Sequence, residues 1–592
     1  MQKLFVSALL MVTICTHAQV GIGTSSPAAS SQLDLTSTSK GLLLPRMTAA
    51  QKGSISSPAT GLLIYQTNET AGFYYYTGGD WILIANDLIV KNGGTNFTGS
   101  LLIGHNTTGS LNSAVFNLGI GSGAIESITT GAVNTAIGYN SLKLNTTGYS
   151  NTALGYSSLT TNTTGVGNTA IGYNSLYSNT TGVSNTAVGY QSLNNNTTGV
   201  SNTAVGLQSL KSNTTGNGNV AVGQNSLVYN TTGSESTAIG VNSLFDNTSG
   251  YANTAVGYNT LHSNTSGFEN TAIGNESLVT NTTGGRNTAI GFLSLQYNTS
   301  GFENTAIGDQ SLTYNETGQG NTAVGYKSLN SNTIGSNSVA IGFKSLLNST
   351  QGDGNTAIGY QSLAFNFDGN NNVAVGLNSL YNNTSGSNNT AFGYKSLTSN
   401  TSGAGNTALG YHTLVANTTG VENTATGFQS LYSNTTGSYN VAVGLNSLLY
   451  NSVGYSNTAL GHRSLVTNTS GYRNVAAGFE SLLSNTTGYN NTGVGGTSLD
   501  ANTTGYNNTA VGHNSLTTNT TGNENTANGA AALFSNTTGN GNTALGNLAG
   551  YSLVSGSNNL ILGYQAQAST TSVSNQVTIG NSSNNAYRMF AA

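Results

Sequence analysis

The chain has 592 residues, of which 79 are Gly and 5% are charged, and its formal net charge is −4. Its 14 Lys and Arg form no basic patch for nucleic-acid phosphates, no like-charge run marks a charged tail, and three Pro exclude collagen and Pro-rich linkers. So few carboxylates and six His also argue against an ordinary enzyme, and a 36% hydrophobic content favours an architecture that pairs backbone over one with a thick apolar core.

Residues 1–18 read as a secretory signal peptide. Lys3 supplies the positive end, Leu4 through Ile14 the apolar stretch, and Thr16-His17-Ala18 a small-residue cleavage site. The stretch is too short to span a bilayer, and no later segment is a candidate span. Cleavage after Ala18 would remove Cys15, the one Cys, and leave a mature chain without disulfides or thiolate metal sites. Lipidation of Cys15 is the alternative, opposed by Val12-Thr13-Ile14, a poor lipobox. The expected locale is therefore extracellular, secreted or at the cell surface. Residues 19–99 form a β-rich N-terminal knob or attachment region.

From residue 100 to 580 the chain follows a strict 17-residue period without insertion or deletion, over 29 units. One unit runs Asn134-Thr-Ala-Ile-Gly-Tyr-Asn-Ser-Leu-Lys-Leu-Asn-Thr-Thr-Gly-Tyr-Ser150. The Gly138 column recurs in every unit from Gly104 to Gly580, the Leu142 column in 24 consecutive units, and the Gly148 column in 26. Asn, Thr, Ser and Gly are poor helix formers, whereas Thr-Ala-Ile-Gly alternates as a short strand does. Asn-Thr-Thr-Gly is a turn in which Gly148 is expected at positive φ. The fold class is therefore all-β, a parallel β-solenoid of 17-residue coils with two short strands per coil, roughly 135–139 and 141–144. At about 4.8 Å per coil the rod is about 140 Å long. Residues 581–592 form a C-terminal tail.

Stacking gives each column a place. Ile137 and Leu142 are expected to point into the coil as apolar ladders, and Asn145 to stack as an amide ladder. Gly138 and Ala136 would then form a small-residue outer face. One thin coil is a weak core, so chains are expected to associate along that face as a homotrimer.

At Asn-Thr-Ala-Ile-Gly, and more closely at Asn337-Ser338-Val339-Ala340-Ile341-Gly342, the unit resembles head repeats of trimeric autotransporter adhesins of the YadA type. That resemblance implies a left-handed, trimeric parallel β-roll. The family's coils are shorter by three, so the extra residues here must lengthen a turn, and neither a coiled-coil stalk nor a membrane anchor is evident. In the N-terminal part, Val20-Gly21-Ile22-Gly23-Thr24, Lys40 through Thr48 and Gly61 through Gln66 look like the start of secreted Bacteroidota surface fibres. Gly72-Phe73-Tyr74-Tyr75-Tyr76 with Trp81 looks like the small trimeric β-knobs of phage tail fibres. In such fibres a segment like Asn585 through Phe590 commonly precedes an intramolecular chaperone domain of endosialidase type, which this sequence does not include.

No residue set suggests catalysis, a cofactor or a metal. His462 and His513 share a column three coils apart, about 14 Å, too far for a common ion. The eight Asp exclude a calcium solenoid with an Asp in each turn. Tyr139, Tyr156, Tyr173 and Tyr190 form an aromatic column that could bind glycans or another surface, or pack as a stacking ladder at a corner or chain–chain seam. The latter reading is preferred. Asn-Thr-Thr fits the N-glycosylation sequon in nearly every coil, although a turn explains it better. Glu269, Arg286 and Glu303 occupy one column and should lie side by side if the phase is right. The expected function is a non-enzymatic extracellular fibre or adhesin. Its partners would be further copies of the chain and glycans or another cell surface, without nucleic acid. An ice-binding solenoid and a polysaccharide-degrading β-helix are the alternatives.

Overall fold

The structure, a computed structural model, describes residues 19–84, 99–103 and 113–583. The expected signal peptide with Cys15, the opening coil's Gly104 and His105, and Asn585 through Phe590 lie outside the described residues. The chain divides into two compact units, one N-terminal and one holding the repeats.

The repeat unit is a parallel β-solenoid, built from 28 successive three-residue strands from Leu118–Ile120 to Val577–Ile579. Each pairs in parallel with the strand of the next coil, as in Thr135↔Thr152, Ala136↔Ala153 and Ile137↔Leu154. The register holds to the last pair, Leu560↔Val577. Pairing extends into the turns, because Leu142 and Leu144 N–H donate to Ser158 and Thr160 carbonyls of the next coil, both at 2.9 Å. Asn140 and Ser150 N–H donate the other way, to Ser122 and Ala132.

Three expectations about the coil are corrected. First, each coil has one strand, and residues 141–144 form turns. Asn140 and Leu142 adopt left-handed backbone, φ 54° and 51°, which costs a non-Gly residue roughly 1–2 kcal/mol. The cost is tolerated because the twist seats the Leu142 side chain in the core, fully buried, while its N–H still reaches the next coil.

Second, Ala136 faces inward and is fully buried, whereas Thr135 and Ile137 face outward. A strand's alternation fixes which residues share a face, not which face is inside. Core volume decides here, since Leu142 from the opposite wall leaves room for Ala. Near the C-terminal end Gly550 takes the Leu position and Ile561 takes the Ala position, and a Cβ on Gly550 would lie 3.0 Å from Ile561 Cδ1. The exchange of large for small reflects a shared, fixed volume.

Third, Gly148 is not at positive φ. It is glycine because a Cβ there would collide with Asn145 Oδ1 and the Gly165 carbonyl oxygen. Gly138 is the residue at positive φ, 133°, and a Cβ on it would collide with the Gly155 carbonyl oxygen.

Two amide ladders line the core. In the expected one, Asn162 Nδ2 donates to Asn145 Oδ1 at 2.8 Å and to Gly165 O at 3.1 Å. The second lies at the unit start and is not among the sequence expectations: Asn151 donates from its backbone N–H and its Nδ2 to Asn134 Oδ1 at 3.0 and 3.1 Å. Stacking thus satisfies the buried ladder amides, except for Oδ1 of Asn332, beside the Ser349 interruption, and of Asn536, where the ladder ends.

The N-terminal unit has a two-stranded parallel sheet, Val20–Ile22 with Leu33–Leu35. A four-stranded sheet follows, in the order Arg46–Met47, Leu63–Gln66, Gly72–Tyr76, Trp81–Leu83. Its first pair is parallel and the others antiparallel. A short helix, Ala49–Gly53, starts at a capping box in which Thr48 Oγ1 accepts from the Gln51 N–H.

Candidate interaction surfaces

The clearest surface belongs to the N-terminal sheet. The registers Leu63↔Tyr75 and Tyr75↔Ile82 put Leu63, Tyr65, Phe73, Tyr75, Ile82 and Ile84 on one face. Five of these six are between 37% and 49% exposed, and Tyr65 meets Phe73 edge-on at 5.1 Å. The opposite face carries the unit's core, with Ile64, Gln66 and Tyr74 buried and Lys52 Nζ 3.6 Å from the Tyr74 ring centre. A small sheet that buries one side and leaves six apolar residues on the other has a face built to be covered.

The solenoid has a second such surface. The Ile137 column faces out along the rod, and Leu154, Ile239, Ile273, Ile307, Phe392 and Leu409 in it are all exposed. The Thr135 column runs beside it. The expected small-residue face does not exist as a surface: Ala136 is in the core, and Gly138 sits against the next coil's carbonyl.

Tyr139, Tyr156, Tyr173 and Tyr190 stack with ring centres 5.1–5.2 Å apart and remain 44–49% exposed. Neighbouring rings cover one another's faces, so the column presents edges and hydroxyls. A second column, not singled out from the sequence, stacks Tyr455, Tyr472, Tyr489 and Tyr506 at 4.9 Å. The 17-residue spacing of those tyrosines is the signal that could have found it.

The charge column is as expected. Arg286 Nε donates to Glu269 Oε2 at 3.0 Å, and Nη1 lies 3.5 Å from Glu303 Oε1. The Glu269 hydrogen bond, foremost, raises the Arg286 pKa further. All three side chains are exposed, so the network adds little stability. The sequon Asn145 is fully buried, with Nδ2 bonded to Gly148 O at 2.9 Å, so in the folded coil it is a ladder residue rather than a glycan acceptor. Among the described residues no three His, Cys, Asp or Glu side chains converge as metal ligands, and no helix is long and apolar enough to cross a membrane.

Residues 21–100 match the family described as a phage tail-like trimerisation region. The match spans the sheet with the exposed apolar face. No curated protein and no solved structure matched the chain.

Proposed function

We propose that the chain is one third of a homotrimeric, non-enzymatic extracellular fibre. Its N-terminal sheets seat the trimer, and its coils form a rod for adhesion or structural display. The observation that carries this reading is the exposed face of Leu63, Phe73, Tyr75, Ile82 and Ile84, which lies within the stretch similar to a trimerisation region. Three like faces around a threefold axis close on themselves and leave no apolar edge. The outward Ile137 stripe supports the same assembly, because it offers each coil an apolar contact that a lone chain would leave in water. The affinity of the repeats to YadA-type heads, the Bacteroidota-type fibre start and the export by a signal peptide belong to this reading.

Light scattering of the full chain tests it. The expected mass is three times that of one chain, with an SDS-resistant band lost on boiling. Phe73→Glu combined with Ile82→Lys should release single chains whose solenoid keeps its far-UV spectrum. A single-chain mass for the unmodified protein overturns the trimer.

A further inference from the structure

We propose that the groove around Tyr297 and Tyr314 is a subsite for a neutral glycan, one whose pyranose rings pair a C–H face with free hydroxyls. This names a ligand class for the adhesive fibre proposed above and rests on that reading. The groove, about 470 Å³, is lined by Thr280, Tyr297, Tyr314, Glu316, Ser331 and Thr333 among others, a size usual for a small-ligand site, about 300–1,000 Å³.

Two departures from the repeat meet there. The first is aromatic. Tyr297 and Tyr314 stack at 5.3 Å with rings 7° from parallel, and the coils on either side place only Thr280 and Ser331 in that column. Inner rings of the longer columns have aromatic neighbours on both faces, whereas each ring of this pair has one on a single face and only the small Thr280 or Ser331 beyond the other. The two are 42% and 49% exposed. A free aromatic face beside a recess accepts the C–H face of a pyranose.

The second departure is Glu316, which takes a position that is Thr in the five coils before it, from Thr231 to Thr299, and in Thr333 and Thr350 after it. Among the described residues no ion pair or hydrogen bond engages its carboxylate. Three of the surrounding hydroxyls have already spent their protons. Thr280 Oγ1 donates to Gln296 O at 2.9 Å, Thr299 Oγ1 to Glu316 O at 3.0 Å, and Thr333 Oγ1 to Thr350 O at 2.9 Å. The polar rim therefore pairs spent threonine oxygens and one negative charge, all acceptors, with the hydroxyls of Ser331 and the two tyrosines, which can both donate and accept. Its complement is a ligand that brings O–H donors and no anionic group, and an acidic polysaccharide would be repelled.

Affinity gel electrophoresis of the full chain, with soluble β-glucan, dextran and mannan against alginate, tests this. At least one neutral polymer should retard the protein and alginate should not. Tyr297→Ala and Tyr314→Ala should each weaken retardation about tenfold, the loss of an aromatic anchor, and Glu316→Thr should weaken it while restoring the repeat. An unchanged melting transition in each variant shows that the coils persist. Retardation by alginate alone, by no neutral polymer, or equally for parent and variants overturns the subsite. The chain mass measured on the same samples separates this failure from failure of the fibre, since a trimer that ignores neutral glycans overturns the subsite only.

Discussion

Single residues show how narrowly the core is specified. In the Asn145 column Ser349 is the one interruption before the ladder ends at Asn536. Its hydroxyl is too short to bridge the coils, and Asn332 Oδ1 and Ser349 Oγ are both buried without partners. In the other ladder Ser338 is accommodated, because its Oγ accepts the Asn355 N–H at 3.2 Å. Ser349→Asn should therefore restore both contacts and stabilise the fold by about 1–3 kcal/mol, read as a higher denaturation midpoint. A lower midpoint would mean that the cavity at 349 has closed around Ser.

Two titrating groups set a pH dependence. Burial, reinforced by Glu480 and opposed by Arg463, raises the Asp500 carboxyl pKa, and its Oδ1 has no partner. A raised folded pKa means the fold holds the proton more tightly. That stabilisation is full below the ordinary carboxyl range and is lost as pH rises through the raised value. Asp500→Asn should raise the midpoint at neutral pH and leave it nearly unchanged in acid. His412 runs the other way. Burial foremost, then Lys395, lowers its pKa, so its contribution is full above the ordinary imidazole range and is lost as pH falls through the lowered value. Midpoints of His412→Gln and the parent, measured across that range, should diverge only on the acid side of neutrality.

At the scale of the coil, glycine and leucine do opposite jobs. Gly291 has φ 134°, and a Cβ there would meet the Gly308 carbonyl oxygen at 2.5 Å. Gly291→Ala must force two coils apart, and amide exchange should rise first in the strands Thr288–Ile290 and Thr305–Ile307 that flank it. Leu312 is fully buried on the opposite wall. Leu312→Ala should cost about 2–5 kcal/mol by leaving a cavity. The fixed columns make these positions legible in the sequence, but not their reasons. Gly148 is expected to supply a turn dihedral and instead makes room for an amide and a carbonyl. Leu142 is expected in a strand and instead sits in left-handed backbone, because a coil with only one strand must turn sharply to bring its apolar side chain back to the axis.

For the repeat unit as a whole, register is the controlling quantity. Every strand pairs only with the strands of the adjacent coils, so stability is a sum of coil and neighbour terms. Deleting residues 202–218, one full unit, should leave circular dichroism and melting close to those of the parent. Deleting residues 202–217 leaves one residue too many between neighbouring coils and should lower the melting transition, because an Ala or an Asn then falls where a Thr should face water.

The period, the parallel pairing, the Asn145 ladder and the Glu269–Arg286–Glu303 column were determined by the sequence alone, since a strict repeat with invariant columns has few ways to stack other than like on like. The candidate surfaces were less legible. The tyrosine column could be read from its spacing, but its exposure could not, and the N-terminal apolar face became visible only once strand register placed six separated residues together. Whether Ala136 or Ile137 faces the axis was likewise decided only by the tertiary structure. Alternation is symmetric under a one-residue shift, and the space left by Leu142, a property of the closed coil, breaks that symmetry.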